Sequence, residues 1–266
     1  MNRTIALLIA LFLSAPALLA QDWAKQTLEK SPRHQEWVQI KHDNRVVQTF
    51  VVYPEVKQKA PVVIVIHEIF GLTDWVRSVA DQLAADGFIA VVPDLLSGKG
   101  PNGGGTEAYP DRDEVISAVS GLSRDEVIAR LNEVRKYATS LPAASGKSAT
   151  VGFCWGGSTS FAYAVAQPEL DAAVVYYGTA PPDLSTLATV KAPVLGLYGG
   201  NDARVDTTIE ATAAKMKELG KVYEPHVFDG AGHGFLRAQD AQDGANSRAA
   251  RQAWSMTIAF LRKYAK

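Results

Sequence analysis

Cysteine is nearly absent: Cys154 is the sole thiol in 266 residues. One thiol cannot close a disulfide within the chain, so no disulfide framework supports the fold. Excess charge is lacking too. Lys and Arg number 27 against 28 Asp and Glu, a formal net charge of −1, which argues against nucleic acid or an anionic membrane surface as a partner. There are no like-charge blocks, internal repeats or heptads. No apolar run reaches the roughly 20 residues that a membrane-spanning helix needs. The five histidines are scattered without ligand spacing, so no metal is expected. The glycine-rich stretch 98–105 follows a strand pattern but lacks the Gly-Lys-Ser/Thr ending of a phosphate loop. No cofactor is expected, and this stretch reads as a lid beside a pocket.

The N-terminus, "MNRTIALLIALFLSAPALLAQDW", has one basic residue, Arg3, a short apolar run from Ile5 to Leu13, and a small-residue exit. That is the pattern of a secretory signal peptide. Cleavage is expected after Ala20, with Ala17 the second choice. Residues 21–266 would then form one domain, periplasmic or secreted, free of the membrane and monomeric. With 47% apolar residues the chain can fill a sizeable core. An unpaired thiol in an exported protein is either buried and inert or present for its reactivity, and at this point both readings stand.

Short apolar runs alternate with amphipathic stretches. Strands are expected at 45–53, 60–68, 88–96, 147–153, 171–178, 192–202 and 222–228, and helices at 74–87, 112–120, 124–140, 156–167, 206–220 and 246–264. The stretch "APVVIVIHE" (60–68) holds a continuous β-branched run, as in a strand buried on both faces of a parallel sheet. Strands alternating with helices predict an α/β fold whose mostly parallel sheet is covered on both sides. Ligands of such sheets bind at the carboxyl ends of the strands.

There lies "ATVGFCWGGSTS". Gly152 and Gly156 flank Cys154 at i−2 and i+2 between a strand and a helix. This is the G-x-nucleophile-x-G turn of α/β-hydrolases with Cys in place of Ser. Side chains at those two positions would collide across so sharp a bend, and glycine removes them. The apex residue sits at a helix N-terminus, which favours an anion, and a thiolate is the nucleophilic form of cysteine. In this fold an acid and then a histidine follow the nucleophile. Asp202, in "YGGNDARV", and His233, in "GAGHGF", fall just beyond successive strands, with Asp206 a second choice for the acid. His34, His42 and His226 read as structural. The oxyanion donors should be the N–H of Trp155 and one from "IHEIFGLTDW", for which Ile69 is the candidate. Glu68 in that loop reads equally as a surface carboxylate or as a second base near Cys154.

With "HEIFGLT" (67–73), "PDLL" (93–96), "VGFCWGG" (151–157), "YGGNDARV" (198–205) and "GAGHGF" (230–235), the chain resembles the dienelactone hydrolase family of α/β-hydrolases over about residues 35–264. The resemblance implies Cys154 as nucleophile, His233 as base, Asp202 as third member of the triad, and Ile69 and Trp155 as oxyanion donors. It implies that Glu68 takes the thiol proton when substrate displaces it, and that Arg237 pairs with a substrate carboxylate. Where the family carries a second carboxylate-binding arginine this chain has Gly98, with Lys99 next to it. A lysine is a point charge rather than a bidentate fork, so Lys99 is the candidate replacement. The expected substrate is a small ester or lactone. A thiol-based redox enzyme and a non-catalytic ligand-binding member of the fold are the alternatives.

Overall fold

A computed structural model describes residues 19–266, with side chains from Trp23 onward. The expected signal peptide lies outside the described residues apart from its last two. The strands are β1 (Gln35–His42), β2 (Arg45–Val52), β3 (Ala60–Ile66), β4 (Ile89–Pro93), β5 (Ala144–Phe153), β6 (Ala172–Tyr176), β7 (Val194–Gly199) and β8 (Tyr223–Phe228). The helices are α1 (Leu19–Lys30), α2 (Asp74–Ala85), α3 (Arg112–Ser120), α4 (Arg124–Ser140), α5 (Trp155–Ala166), α6 (Ala203–Asp206), α7 (Ile209–Glu218) and α8 (Ala245–Tyr264). Among the described residues, no helix is long and apolar enough to cross a membrane.

The eight strands form one sheet in the order β1-β2-β4-β3-β5-β6-β7-β8. β1 and β2 pair antiparallel, β2 and β4 likewise, and every pairing from β4 to β8 is parallel. The α/β expectation holds. Residues alternate between two cores. Val63 and Val65 of β3, with Val151 and Phe153 of β5, face α2 and α8, while Val62, Ile64 and Ile66 face α4 and α5. Val62 to Ile66 are all fully buried, each contributing roughly 1.5–3 kcal/mol of transfer free energy. A run of β-branched residues suits this place because both of its faces are dry.

Three elements depart from the sequence reading. β1 was not expected; as an edge strand it buries only Ile40 fully and carries charge, so its apolar pattern is faint. α1 straddles the expected cleavage point after Ala20, and its Ala24 and Leu28, beyond that point, are buried. The helix expected at 206–220 is two, α6 and α7, broken at Thr207–Thr208.

Candidate active site

The parallel strands deliver their next residues to one edge of the sheet. Glu68 follows β3 by two residues, Cys154 follows β5 directly, Asp202 follows β7 by three and His233 follows β8 by five. Cys154 adopts φ 56°, ψ −115°, a sparsely populated backbone that costs of order 1–3 kcal/mol. Its N–H donates to the Tyr176 carbonyl at 3.0 Å, and its carbonyl accepts from the Ser158 N–H at 3.1 Å, so both sides of the bend are held. The two flanking glycines are needed for different reasons. A Cβ on Gly152 would strike the Gly156 backbone, whereas one on Gly156 would strike the Ile66 and His67 carbonyls at the end of β3. Collision across the turn thus explains the first glycine only. The second lets α5 begin against the neighbouring strand.

The thiol is half-buried and meets the histidine: His233 Nε2 is 3.1 Å from Cys154 Sγ. On the other side of the ring, Nδ1 is 2.5 Å from Asp202 Oδ2. A carboxylate can only accept here, so Nδ1 carries the proton and Nε2 faces the sulfur. The hydrogen bond to Cys154, then that to Asp202, raise the His233 pKa against the opposing effect of burial. The His233 loop is fixed from two directions. Asn246, in the first turn of α8, accepts from the Gly232 N–H at 2.8 Å and donates to the Ala238 carbonyl at 2.7 Å. The Asn201 N–H donates to the Ala231 carbonyl at 2.9 Å. Asp206, the second choice, is not hydrogen-bonded to the imidazole; its Oδ1 is buried without a partner.

Glu68 is not a surface residue. It is 2% exposed and accepts from Arg237 Nε at 2.7 Å. Burial raises its pKa, an effect that Arg237, His233 and Arg112 oppose. Arg237 is therefore engaged through Nε by Glu68. The guanidinium of Arg112, the first residue of α3, lies 3.9 Å from the Phe70 ring centroid, and that of Arg237 lies 5.2 Å from the same ring. Below them Val115 and Val119 of α3 pack with Ile69 and Trp155. Arg112 escaped the sequence reading because nothing local marks it: only packing of α3 onto the loop after β3 brings it there.

Lys99 is not brought to the thiol. Its Nζ pairs with Glu126 Oε2 of α4 at 2.7 Å. Glu126 also accepts from the fully buried Arg130, whose Nη1 holds the Leu95 and Ser97 carbonyls at 3.1 and 2.8 Å. The stretch expected as a lid is tied down. The Gly100 N–H bonds the Gly104 carbonyl. Thr106 donates N–H and Oγ1–H to buried Asp94, both at 2.7 Å, and accepts from the Leu72 N–H at 3.1 Å. Thr106 thus links the end of the glycine-rich loop to the turn that carries Glu68 and Ile69.

Tyr177 was also missed. Its φ is 40°, its ring meets His233 edge-on at 5.1 Å, and its hydroxyl is buried without a partner. Burial pushes its pKa well up, so it is a neutral phenol. The signal for it was its place at the carboxyl end of β6, beside a strand that ends in the nucleophile.

A strained thiol at a strand-to-helix bend, backed by His and Asp from later strands of an eight-stranded sheet, defines an α/β-hydrolase. Residues 47–265 match the dienelactone hydrolase family model. The chain belongs to that family. It is 30% identical over 190 residues to the carboxymethylenebutenolidase of Pseudomonas putida, covering 70% of this chain and 79% of the relative. A Salmonella typhimurium protein that bears the same name provisionally is 32% identical over 216 residues, 77% of each chain. A crystal structure from Klebsiella pneumoniae subsp. pneumoniae, described provisionally as a dienelactone hydrolase, superposes with a TM-score of 0.77 at 26% identity. It covers 87% of this chain and 99% of that one.

Proposed function

We propose that this protein hydrolyses activated carboxylic esters or lactones through an acyl-thioester on Cys154. The observation that carries the reading is the 3.1 Å approach of His233 Nε2 to Cys154 Sγ, with Asp202 on the far side of the ring. Nε2 takes the thiol proton as sulfur attacks the carbonyl carbon. The carbonyl electron pair moves to oxygen, which rests on the N–H groups of Ile69 and Trp155. Each such donor is worth roughly 2.7–4 kcal/mol in comparable sites. When the adduct collapses, the carbon–oxygen bond to the leaving group breaks and that oxygen takes the proton from His233. Water then attacks the thioester, His233 accepts its proton, and the acid and the free thiol result. Asp202 keeps the ring oriented throughout.

The name of the P. putida relative points to a butenolide, an unsaturated lactone carrying a carboxymethylene group. A carboxylate on the substrate suits Arg237 and Arg112 at Phe70. It would compete with Glu68 for Arg237 and free Glu68 as a second proton acceptor beside the thiol. Export rests on the composition of residues 1–20; fractionation and N-terminal sequencing of the expressed chain test it, with Gln21 expected first.

The deciding experiment is turnover of aryl acetates by wild type, Cys154→Ala and Cys154→Ser, with mass spectrometry of the quenched enzyme. The expected results are loss of at least about 10³-fold in the Ala variant, partial activity in the Ser variant, and an acyl adduct on the peptide carrying Cys154. Undiminished turnover in Cys154→Ala would end the reading and leave a binding or redox role for the thiol.

A further inference from the structure

His67 is the last residue before the turn that carries Glu68 and Ile69, and the reaction above gives it nothing to do. It is fully buried. Its Nδ1 is 2.7 Å from the Glu68 carbonyl oxygen. A carbonyl only accepts, so Nδ1 carries the proton and Nε2 is bare. Nε2 is buried and has no partner; burial lowers the pKa of the ring, which stays neutral. A buried, neutral imidazole whose one N–H is spent on a neighbouring backbone carbonyl invites the question of what that carbonyl controls.

The Glu68 carbonyl and the Ile69 N–H belong to one peptide unit, and no peptide among the described residues is cis. In a trans peptide the two groups point in opposite directions within one plane. Fixing the carbonyl therefore fixes the N–H. The Gly71 N–H also donates to the Glu68 carbonyl, at 3.2 Å, and closes the turn. The Ile69 N–H itself donates to no described residue, so it is free for a ligand. The imidazole also stacks on the Trp155 indole, 5.5 Å between centroids and 14° between planes, and Trp155 supplies the other expected oxyanion donor.

We propose that His67 is a positioning residue for the oxyanion site: its Nδ1–H sets the Glu68–Ile69 peptide plane and its ring steadies Trp155. The proposal rests on the reading of Cys154 as an acylated nucleophile. Misaiming a donor raises the barrier to the tetrahedral adduct and leaves ground-state binding alone.

The test compares His67→Asn, which keeps a donor at the δ position but loses the ring, with His67→Phe, which keeps a stacked ring of similar volume but loses the donor. His67→Gln, whose amide lies one bond too far out, is the second variant without the δ donor should the Phe chain fail to fold. Each is assayed on an aryl acetate and titrated with a trifluoromethyl ketone, whose carbonyl adds the thiol to give an oxyanion, and with the matching unreactive alcohol. Expected for Phe is a roughly 10- to 100-fold fall in kcat, less than the roughly 100- to 1,000-fold cost of a donor removed outright because the N–H is misaimed and not deleted, with KM changed less than about twofold. Ketone affinity should fall with kcat/KM while alcohol affinity is held, and Asn should stay within about fivefold of wild type. A purely structural role predicts the reverse order, with apolar Phe tolerated better than Asn in a buried site. That order, equal kcat in Asn and in the donor-less variants, or parallel loss of ketone and alcohol affinity would overturn the proposal. Wild type forming no ketone adduct on Cys154 would remove the acyl-thioester reading and this proposal together. A wild-type adduct with indifferent variants would remove this proposal alone.

Discussion

Arg237 donates Nε to Glu68 at 2.7 Å, and the carboxylate it meets is almost fully buried. The arginine therefore serves the fold before it serves any substrate. In Arg237→Ala the carboxylate would stay buried without its cation, a situation that costs about 3–5 kcal/mol. Burial already raises the Glu68 pKa, so the variant can escape part of the cost by taking up a proton. An acid with a raised folded pKa loses stability as pH rises from its unfolded value through the folded one. Urea unfolding should accordingly show Arg237→Ala more destabilised at pH 8 than at pH 5, and adding Glu68→Gln should recover most of the loss. An unchanged midpoint in Arg237→Ala at both pH values would contradict this account.

The contact between His233 and Cys154 has a signature that does not depend on turnover. The hydrogen bond to Cys154 is the largest cause of the raised His233 pKa. A histidine raised above its unfolded value of about 6.5 contributes stability that is complete below that pH and lost as pH rises through the folded value. NMR titration of the ring should place the wild-type midpoint above 6.5 and move it down in Cys154→Ala. The stability difference between pH 6 and pH 9 should shrink in the same variant. A midpoint that ignores the substitution would mean that sulfur and ring do not interact in solution.

Much of this site was legible in the chain because its markers are local. G-x-C-x-G, a Gly-Gly loop before Asp202 and a Gly-x-Gly around His233 each sit just beyond a segment that the alternation of the chain marks as a strand. What stayed hidden depends on which elements touch. Arg112 opens a helix after a long loop, and only the packing of Val115 and Val119 on Ile69 and Trp155 carries it to Phe70. Lys99 lies one place beyond Gly98, where the resemblance puts a ligand-binding cation, yet α4 presents Glu126 to it. β1 was obscured for another reason: an edge strand with one side in water shows little of the apolar run that marks β3.

Those two cations should part company in kinetics. Arg112→Ala is expected to raise KM about 10-fold for an ester bearing a carboxylate, the size of one lost charge-assisted hydrogen bond of roughly 1.5 kcal/mol. It should leave KM for a neutral ester of the same shape unchanged. Lys99→Ala should alter neither by more than about twofold, because its charge is already spent on Glu126. Matched ester pairs assayed on both variants check this, and the opposite pattern would return Lys99 to the substrate.

The sulfur also restricts what can be hydrolysed. In the tetrahedral adduct the thiolate competes with the leaving oxygen, and a free thiol is about seven pK units more acidic than water. An alkoxide would therefore lose the competition, and attack would revert, unless His233 protonates the oxygen as it departs. An enolate or phenolate needs less help. Acetate esters graded by leaving-group pKa should give kcat/KM values that fall steeply from aryl toward alkyl. In Cys154→Ser the slope should flatten, since an alkoxide nucleophile is no better a leaving group than the alkoxide it displaces. Equal rates for phenyl and ethyl acetate in wild type would show that expulsion of the alcohol is not the difficult step. His233, 3.1 Å from the sulfur, would then have to deliver its proton to the leaving oxygen well before the carbon–sulfur bond can break.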